Sequence, residues 1–253
     1  VSIAEKARVD MEYMEQLTGK TNDELAAELQ GVIFRLPGPV PEGERPTYVT
    51  ADEYLSGNVR RKLRQAQRAA QQDPAFAINV EALTAAQPKD LDASEIEVRL
   101  GATWIDKKYI QQFMYETFNT PNYLQRAIQV NYTSYTAEWQ ITGKSSVSEN
   151  NVAAYTTYGT SRANAYKILE DSLNLRDVRI YDTVEDADGK ARRVLNAKET
   201  TLAAQKQQAI RDAFRDWIWR DPERRQTLVR QYNEEMNSTR PREYDGSHIT
   251  FGG

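Results

Sequence analysis

The sequence contains no cysteine and a single histidine, His248. The first absence rules out disulfides and thiolate catalysis, and together they remove nearly all structural zinc, because such sites draw on Cys or several His. A lone histidine near the end of the chain, with no positioned partner in the sequence, reads as a surface or turn residue rather than a general base. Long apolar runs are missing too: nothing approaches the roughly 20 residues that span a bilayer. No basic stretch precedes an apolar core, so no secretory signal is expected, and the reading is a cytoplasmic protein with no membrane partner. An excess of positive charge is also absent. The formal charge of -4 argues against a wholly basic nucleic-acid binder, although net charge is silent about a local patch.

Catalytic and cofactor motifs are missing as well. Gly143-Lys144-Ser145 looks like the end of a phosphate-binding loop, yet the first glycine of that motif would fall on Glu138. Aligning Asp182, Glu185, Asp186, Asp188 and Gly189 as a calcium loop puts Val184 at the first ligand position and Leu195 at the last. Thr120-Pro121-Asn122-Tyr123 lies near the proline-aromatic motif of amino-methyltransferases without matching it, and no glycine-rich cofactor turn precedes it. Neither GxSxG nor HExxH occurs. No catalytic residue, cofactor or metal is therefore expected, and the chain reads as a non-enzyme.

What is present is a soluble, helix-rich composition, 40% hydrophobic and 28% charged, in a chain of 253 residues long enough to bury a core. The strongest structural statement is NAKETTLAAQKQQAIRDAFRDWIW, residues 196–219. Asn196 followed by Glu199 is a capping-box pattern. Leu202, Ala203, Ala209, Ile210, Ala213, Phe214, Trp217 and Ile218 recur at three- and four-residue spacing, so one face must be buried. Asp221-Pro222 stops this helix and starts another, expected to pack antiparallel on it through Met236.

Along the chain, Ile3, Ala7, Met11, Met14 and Leu17 share a helical spacing that Gly19 ends, and Thr21 with Glu24 opens a short helix before the strand-like Val32-Ile33-Phe34. Pro37, Gly38, Pro39, Pro41, Gly43 and Pro46 then enforce a loop or domain-edge connection. Thr50 and Glu53 suggest a third capping box, leading into a helix interrupted or kinked near Ser56-Gly57-Asn58, and Asp73-Pro74 starts the next one. Residues 95–100 alternate as a half-buried strand, Asp106 caps a helix with an aromatic stripe, and residues 127–142 read as an antiparallel strand pair. Asn164 opens a further helix, and Asp188-Gly189 marks a hairpin. The fold class is thus α+β, mainly helical with a small antiparallel sheet and a C-terminal antiparallel helix pair. Its segments are an N-terminal helical part (1–36), a linker (37–49), a helical region (50–92), an α+β region (93–195), the helix pair (196–236) and a tail (237–253) that reads as a linker or docking strand.

Charge along residues 50–92 is uneven. Arg60, Arg61, Lys62, Arg64 and Arg68 place five cations on little more than two turns, with Arg60, Arg64 and Arg68 at i, i+4, i+8. That ridge suits phosphates, the alternative being a solvated face neutralised by nearby acids. Lys190, Arg192 and Arg193 project near the hairpin turn and suit a groove. Trp219 lies about 200 degrees from Trp217 on an ideal helix, off the apolar face, where it either packs against the helix from Glu223 or stacks on a displaced base. The fourteen tyrosines suit a wet interface, base stacking or ordinary amphipathic packing.

Several blocks carry a family resemblance: YVTADEYLSGNVRRKL, DPAFAINVEALTAAQPKDL, EVRLGATWIDKKYIQQFMYE, YGTSRANAYKILEDSLNLRDVRIYD, VLNAKETTLAAQKQQAIRDAFRDWIW and YNEEMNSTRPREYDGSHI. They resemble the very large helicase–methylase polyproteins of conjugative elements and phages in gut bacteria, which join an adenine-specific DNA methylase to a Swi/Snf-like superfamily-two motor and have antirestriction-associated relatives. The resemblance covers nearly the whole chain. It implies a position between methylase and motor, with DNA and those two flanking domains as partners, and the start at Val1 without an initiator Met agrees with an excised region. The motifs for ATP and the methyl donor are absent, so neither activity transfers to any residue here. The expectation is a DNA-binding or target-recognition module, and the rival is a scaffold that docks motor and methylase without touching DNA.

Overall fold

The structure, a computed structural model, describes residues 1–243; His248 and the rest of the tail lie outside the described residues. It divides into two compact units, one formed by Val1–Leu91 with the chain from Gln231 onward and the other by Asp92–Arg230.

The first unit begins with three short helices, α1 (Ser2–Lys6), α2 (Met11–Thr18) and α3 (Asn22–Glu28). The periodicity of residues 3–17 is thus split in two, because Ala7 takes a left-handed conformation (φ 55°) and closes α1. Gly19 (φ 70°) closes α2 as expected, and Thr21 and Glu24 form the complete capping box of α3. Then β1 (Ile33–Arg35) pairs antiparallel with β2 (Tyr48–Thr50). The proline-rich loop between them is therefore held at both ends by one hairpin. Strand alternation gives that hairpin two buried faces: Ile33 joins Met11 and Leu25 under the helices, while Phe34 packs with Tyr54, Val59, Ala66 and Leu83.

Of the interruption or kink expected near Gly57, the structure has the interruption. The helix splits into α4 (Ala51–Tyr54) and α5 (Val59–Gln72), with β3 (Gly57–Asn58) between them, and Thr50 makes no side-chain cap bond to α4. Asn58 caps α5 by accepting from the Arg61 amide, and α6 (Ala77–Ala85) follows a turn opened by Asp73 and Pro74. The chain later returns as β8 (Thr239–Arg240), antiparallel to β3, so this part of the tail is a docking strand.

The second unit is built on α7 (Lys107–Thr117), α8 (Ala165–Leu173) and α9 (Ala197–Arg220), capped by Asp106, Asn164 and Asn196 as the sequence predicts. Residues Ala203, Gln207, Ile210, Phe214, Trp217 and Ile218 of α9 are buried against α7 and α8. Gln207 belongs on that face because its amide donates to Ser172 Oγ and the Arg176 carbonyl and accepts from the Val178 amide, leaving no polar group unpaired. Leu202, expected on the apolar face, is 40% exposed. The hairpin of β4 (Val130–Thr133) and β5 (Glu138–Ile141) covers α7 and α8. The hairpin of β6 (Tyr181–Glu185) and β7 (Ala191–Leu195) is almost wholly exposed.

Residues 95–100 depart from expectation. Ile96, Val98 and Leu100 are buried and Glu97 and Arg99 exposed, so the alternation holds, yet the segment pairs with no strand among the described residues. After α9, Asp221 starts α10 (Pro222–Glu235). Arg224 in its first turn closes the joint, donating to the carbonyls of Trp217 and Ile218 with its guanidinium 3.6 Å from the centre of the Trp217 ring. The fold is mainly helical with small two-stranded antiparallel sheets. No helix among the described residues is long and apolar enough to cross a membrane.

Candidate nucleic-acid interface

Five cations on α5 have three different fates. Arg60 turns inward: its guanidinium donates to the carbonyls of Asn237 and Pro88 and pairs with Asp90, and its side chain is only 15% exposed. Lys62 donates to the carbonyls of Glu53, Tyr54 and Ser56, closing the end of α4, and burial pushes its ammonium pKa down. Arg61, Arg64 and Arg68 are exposed and make neither an ion pair nor a side-chain hydrogen bond among the described residues. The ridge expected at Arg60, Arg64 and Arg68 is thereby corrected. Spacing of i, i+4, i+8 advances about 80 degrees around the helix, and its first member falls under the returning tail. The open stripe is Arg61, Arg64 and Arg68, at i, i+3, i+7, within about 60 degrees of arc on an ideal helix.

Two features give this stripe weight. Helix α5 contains no acidic residue, so no i, i+4 carboxylate neutralises it. Elsewhere in the unit cations are engaged: Arg8 with Asp10, Lys20 with Glu28, Arg35 with Asp73, Arg45 with Glu15, Arg240 with Glu243 and Arg242 with Asp52. The positive end of the helix dipole also disfavours a cation in the first turn by about 0.3–1 kcal/mol. Carbonyl groups offset this for Arg60 and Lys62, and nothing among the described residues does so for Arg61.

The helix, turn, helix and hairpin of residues 11–50 offer a different face. The three-residue turn Gly19-Lys20-Thr21, followed by a strand and a proline-rich loop, was the signal for this arrangement, and spacing arguments alone passed over it. Its second helix, α3, exposes Asp23, Glu24 and Glu28, and the hairpin loop carries Glu42 and Glu44 with Arg45 paired to Glu15. Such a surface repels phosphate.

In the other unit, Lys190 and Arg192 sit on the β6–β7 hairpin beside Glu185, Asp186 and Asp188, and Arg193 lies 4.4 Å from the centre of the Tyr181 ring. The hairpin tip is thus charge-balanced rather than basic. Trp219 is half-buried and lines an open groove of about 780 Å³ whose opposite wall is residues 93–98. Among the described residues no group of three or more His, Cys, Asp or Glu is placed to hold a metal ion.

Comparison with known proteins bears on both units. Residues 99–238, more than half of the chain, match the model of a domain of unknown function, DUF8437. Residues 1–40 match the model described as "probable helicase, winged helix domain", which marks a helicase-associated region and is compatible with a DNA-binding, non-catalytic module. No curated protein and no solved structure matches the chain.

Proposed function

The chain belongs to the DUF8437 family, and we propose that it is a non-catalytic DNA-binding and coupling module of a larger helicase-bearing protein, holding duplex phosphates with Arg61, Arg64 and Arg68. The observation that carries this is the stripe of three guanidinium groups on an acid-free helix, uncommitted among the described residues, in a unit whose other cations are largely paired off. Guanidinium groups at helical spacing give sequence-independent phosphate contacts that fix register on a duplex. The helicase winged-helix match at the N-terminus supports a motor as the neighbouring domain. The resemblance to helicase–methylase polyproteins of conjugative elements and phages extends the proposal to a methylase on the other side and to an antirestriction setting. No catalytic step is assigned to these residues.

A scaffold that docks its neighbours without DNA contact is the second reading. It is favoured by the β6–β7 hairpin, where Val184 is 49% and Leu195 is 49% exposed on an otherwise balanced surface. Anisotropy of a labelled duplex separates the two. The Arg61→Ala/Arg64→Ala/Arg68→Ala variant should bind far more weakly, and the corresponding triple Lys variant should keep most of the affinity. Equal affinity of the wild type and the triple Ala variant would leave only the scaffold.

A further inference from the structure

Tryptophan is used in two ways in the second unit. Trp217 is 5% exposed, its indole N–H donates to Glu116 at 2.6 Å, and Phe113, Phe214 and Arg224 surround its ring. Trp219, two residues on, is half-buried, and its ring makes no ring–ring or cation–π contact among the described residues. Its indole N–H has no acceptor among the described residues, although a buried indole normally finds one. The ring lines a groove together with Arg215, Asp216 and Arg220 of α9.

The facing wall supplies the matching half. Residues 96–98 lie there outside any helix, strand or turn, and the backbone N–H and C=O groups of Ile96, Glu97 and Val98 make no hydrogen bond among the described residues. Backbone groups that line an open groove and pair with nothing among the described residues are left to solvent or to a ligand, and here they stand beside an indole in the same position. Asp216 is exposed, has no partner among the described residues and stands one turn before Trp219. Arg220 is likewise uncommitted at the rim.

We propose that this groove takes a single unstacked nucleobase of single-stranded DNA, with the base against Trp219, its hydrogen-bonding edge on the backbone of residues 96–98 and the Asp216 carboxylate, and a flanking phosphate on Arg220. This rests on the DNA-binding reading above and adds a second, base-reading site to it. The sign of the charges selects the occupant. Asp216, a lining carboxylate with no partner among the described residues, repels a phosphate on the groove floor, whereas it accepts from the exocyclic amines of adenine, cytosine and guanine. Thymine has no such amine, so bases that carry one are preferred. An extended peptide pairing with residues 96–98 would use the same backbone groups, yet it would leave the indole face and Arg220 without a role.

The test is anisotropy on the 253-residue chain with short labelled strands of oligo-dA, oligo-dC, oligo-dT and abasic DNA, and a labelled duplex. Base stacking of this kind predicts a loss of about 5- to 150-fold on oligo-dA and oligo-dC for Trp219→Ala. Trp219→Phe, which keeps a ring, should stay within a few-fold of wild type and guards against loss of packing. Asp216→Ala should narrow the preference for oligo-dA over oligo-dT. Duplex affinity should be unmoved in all three variants. Wild-type binding that ignores the presence of bases, or a Trp219→Ala variant equal to wild type on oligo-dA, overturns the proposal while the α5 stripe stands if its own variant still loses duplex. An unrelated extended peptide that releases bound oligo-dA and binds wild type and Trp219→Ala equally well would assign the groove to strand addition and overturn it too. Loss of duplex binding by none of the variants, the α5 triple included, is the separate failure of the DNA reading itself.

Discussion

Replacing Arg224 by Ala should weaken the second unit severely, and the structure supplies the magnitude. The residue is 9% exposed. It donates from Nε to the Ile218 carbonyl at 3.0 Å and from Nη2 to the Trp217 carbonyl at 2.5 Å, satisfying two of the orphan carbonyls at the end of α9. Hydrogen bonds from a charged donor contribute about 1.5–3 kcal/mol each, and a desolvated cation over tryptophan about 2 kcal/mol. Against this stands the desolvation of the guanidinium, which pushes its pKa down. The balance is a loss of about 2–4 kcal/mol, a large share of the 5–15 kcal/mol that holds a typical domain. With a urea m value of about 2 kcal/mol/M the unfolding midpoint should fall by about 1–2 M. Arg224→Lys should recover roughly half, since it keeps the charge but not the planar fork. The assay is selective because Trp104, Trp139, Trp217 and Trp219 all lie in the second unit, so tryptophan fluorescence follows its unfolding alone. An Arg224→Ala midpoint within about 0.3 M of wild type would refute the reasoning.

Gly101→Ala should cost more still. Gly101 has φ 89°, and an added Cβ would stand 2.4 Å from the Leu173 carbonyl oxygen, so both strain and a backbone clash oppose it; a melting temperature unchanged from wild type would show that the loop yields freely. Acidification should destabilise the chain through carboxyls held below their ordinary range, among them Asp10, Glu24 and Asp182. The Tyr13 amide and then Arg8 act on Asp10, the Thr21 amide and then its hydroxyl on Glu24, and Arg162 and then Asn196 on Asp182. Groups with depressed folded values stabilise above their ordinary values of 3.8 for Asp and 4.5 for Glu, and that contribution is lost as pH falls through the folded values. Thermal melts should drop through this window in the wild type and less steeply in Asp10→Asn/Glu24→Gln/Asp182→Asn; parallel curves would contradict the assignment.

Local chemistry was legible in the sequence and long-range cover was not. Asn196, Asp106 and Asn164 announce helices because an N-cap is a contact between near neighbours, and Asp188-Gly189 announces a hairpin for the same reason. Residues 95–100 misled because alternation reports burial on one side, which an extended segment has whether or not a strand pairs with it. The cation ridge was half right. Helical spacing names the residues that share a face, but what covers that face came from Asn237, 177 positions from Arg60. The Trp219 groove was visible only as an indole off the apolar face. Its other wall, residues 93–98, is brought there by the fold.

Duplex binding depends on Arg61, Arg64 and Arg68 replacing counterions on a phosphate backbone, and its salt dependence measures that most directly. Three phosphate contacts contribute about 2.7 to the slope of log Kobs against log salt, so the triple Ala variant should have a slope shallower than wild type by about that amount. Parallel salt lines for the two proteins would contradict it, whatever their absolute affinities.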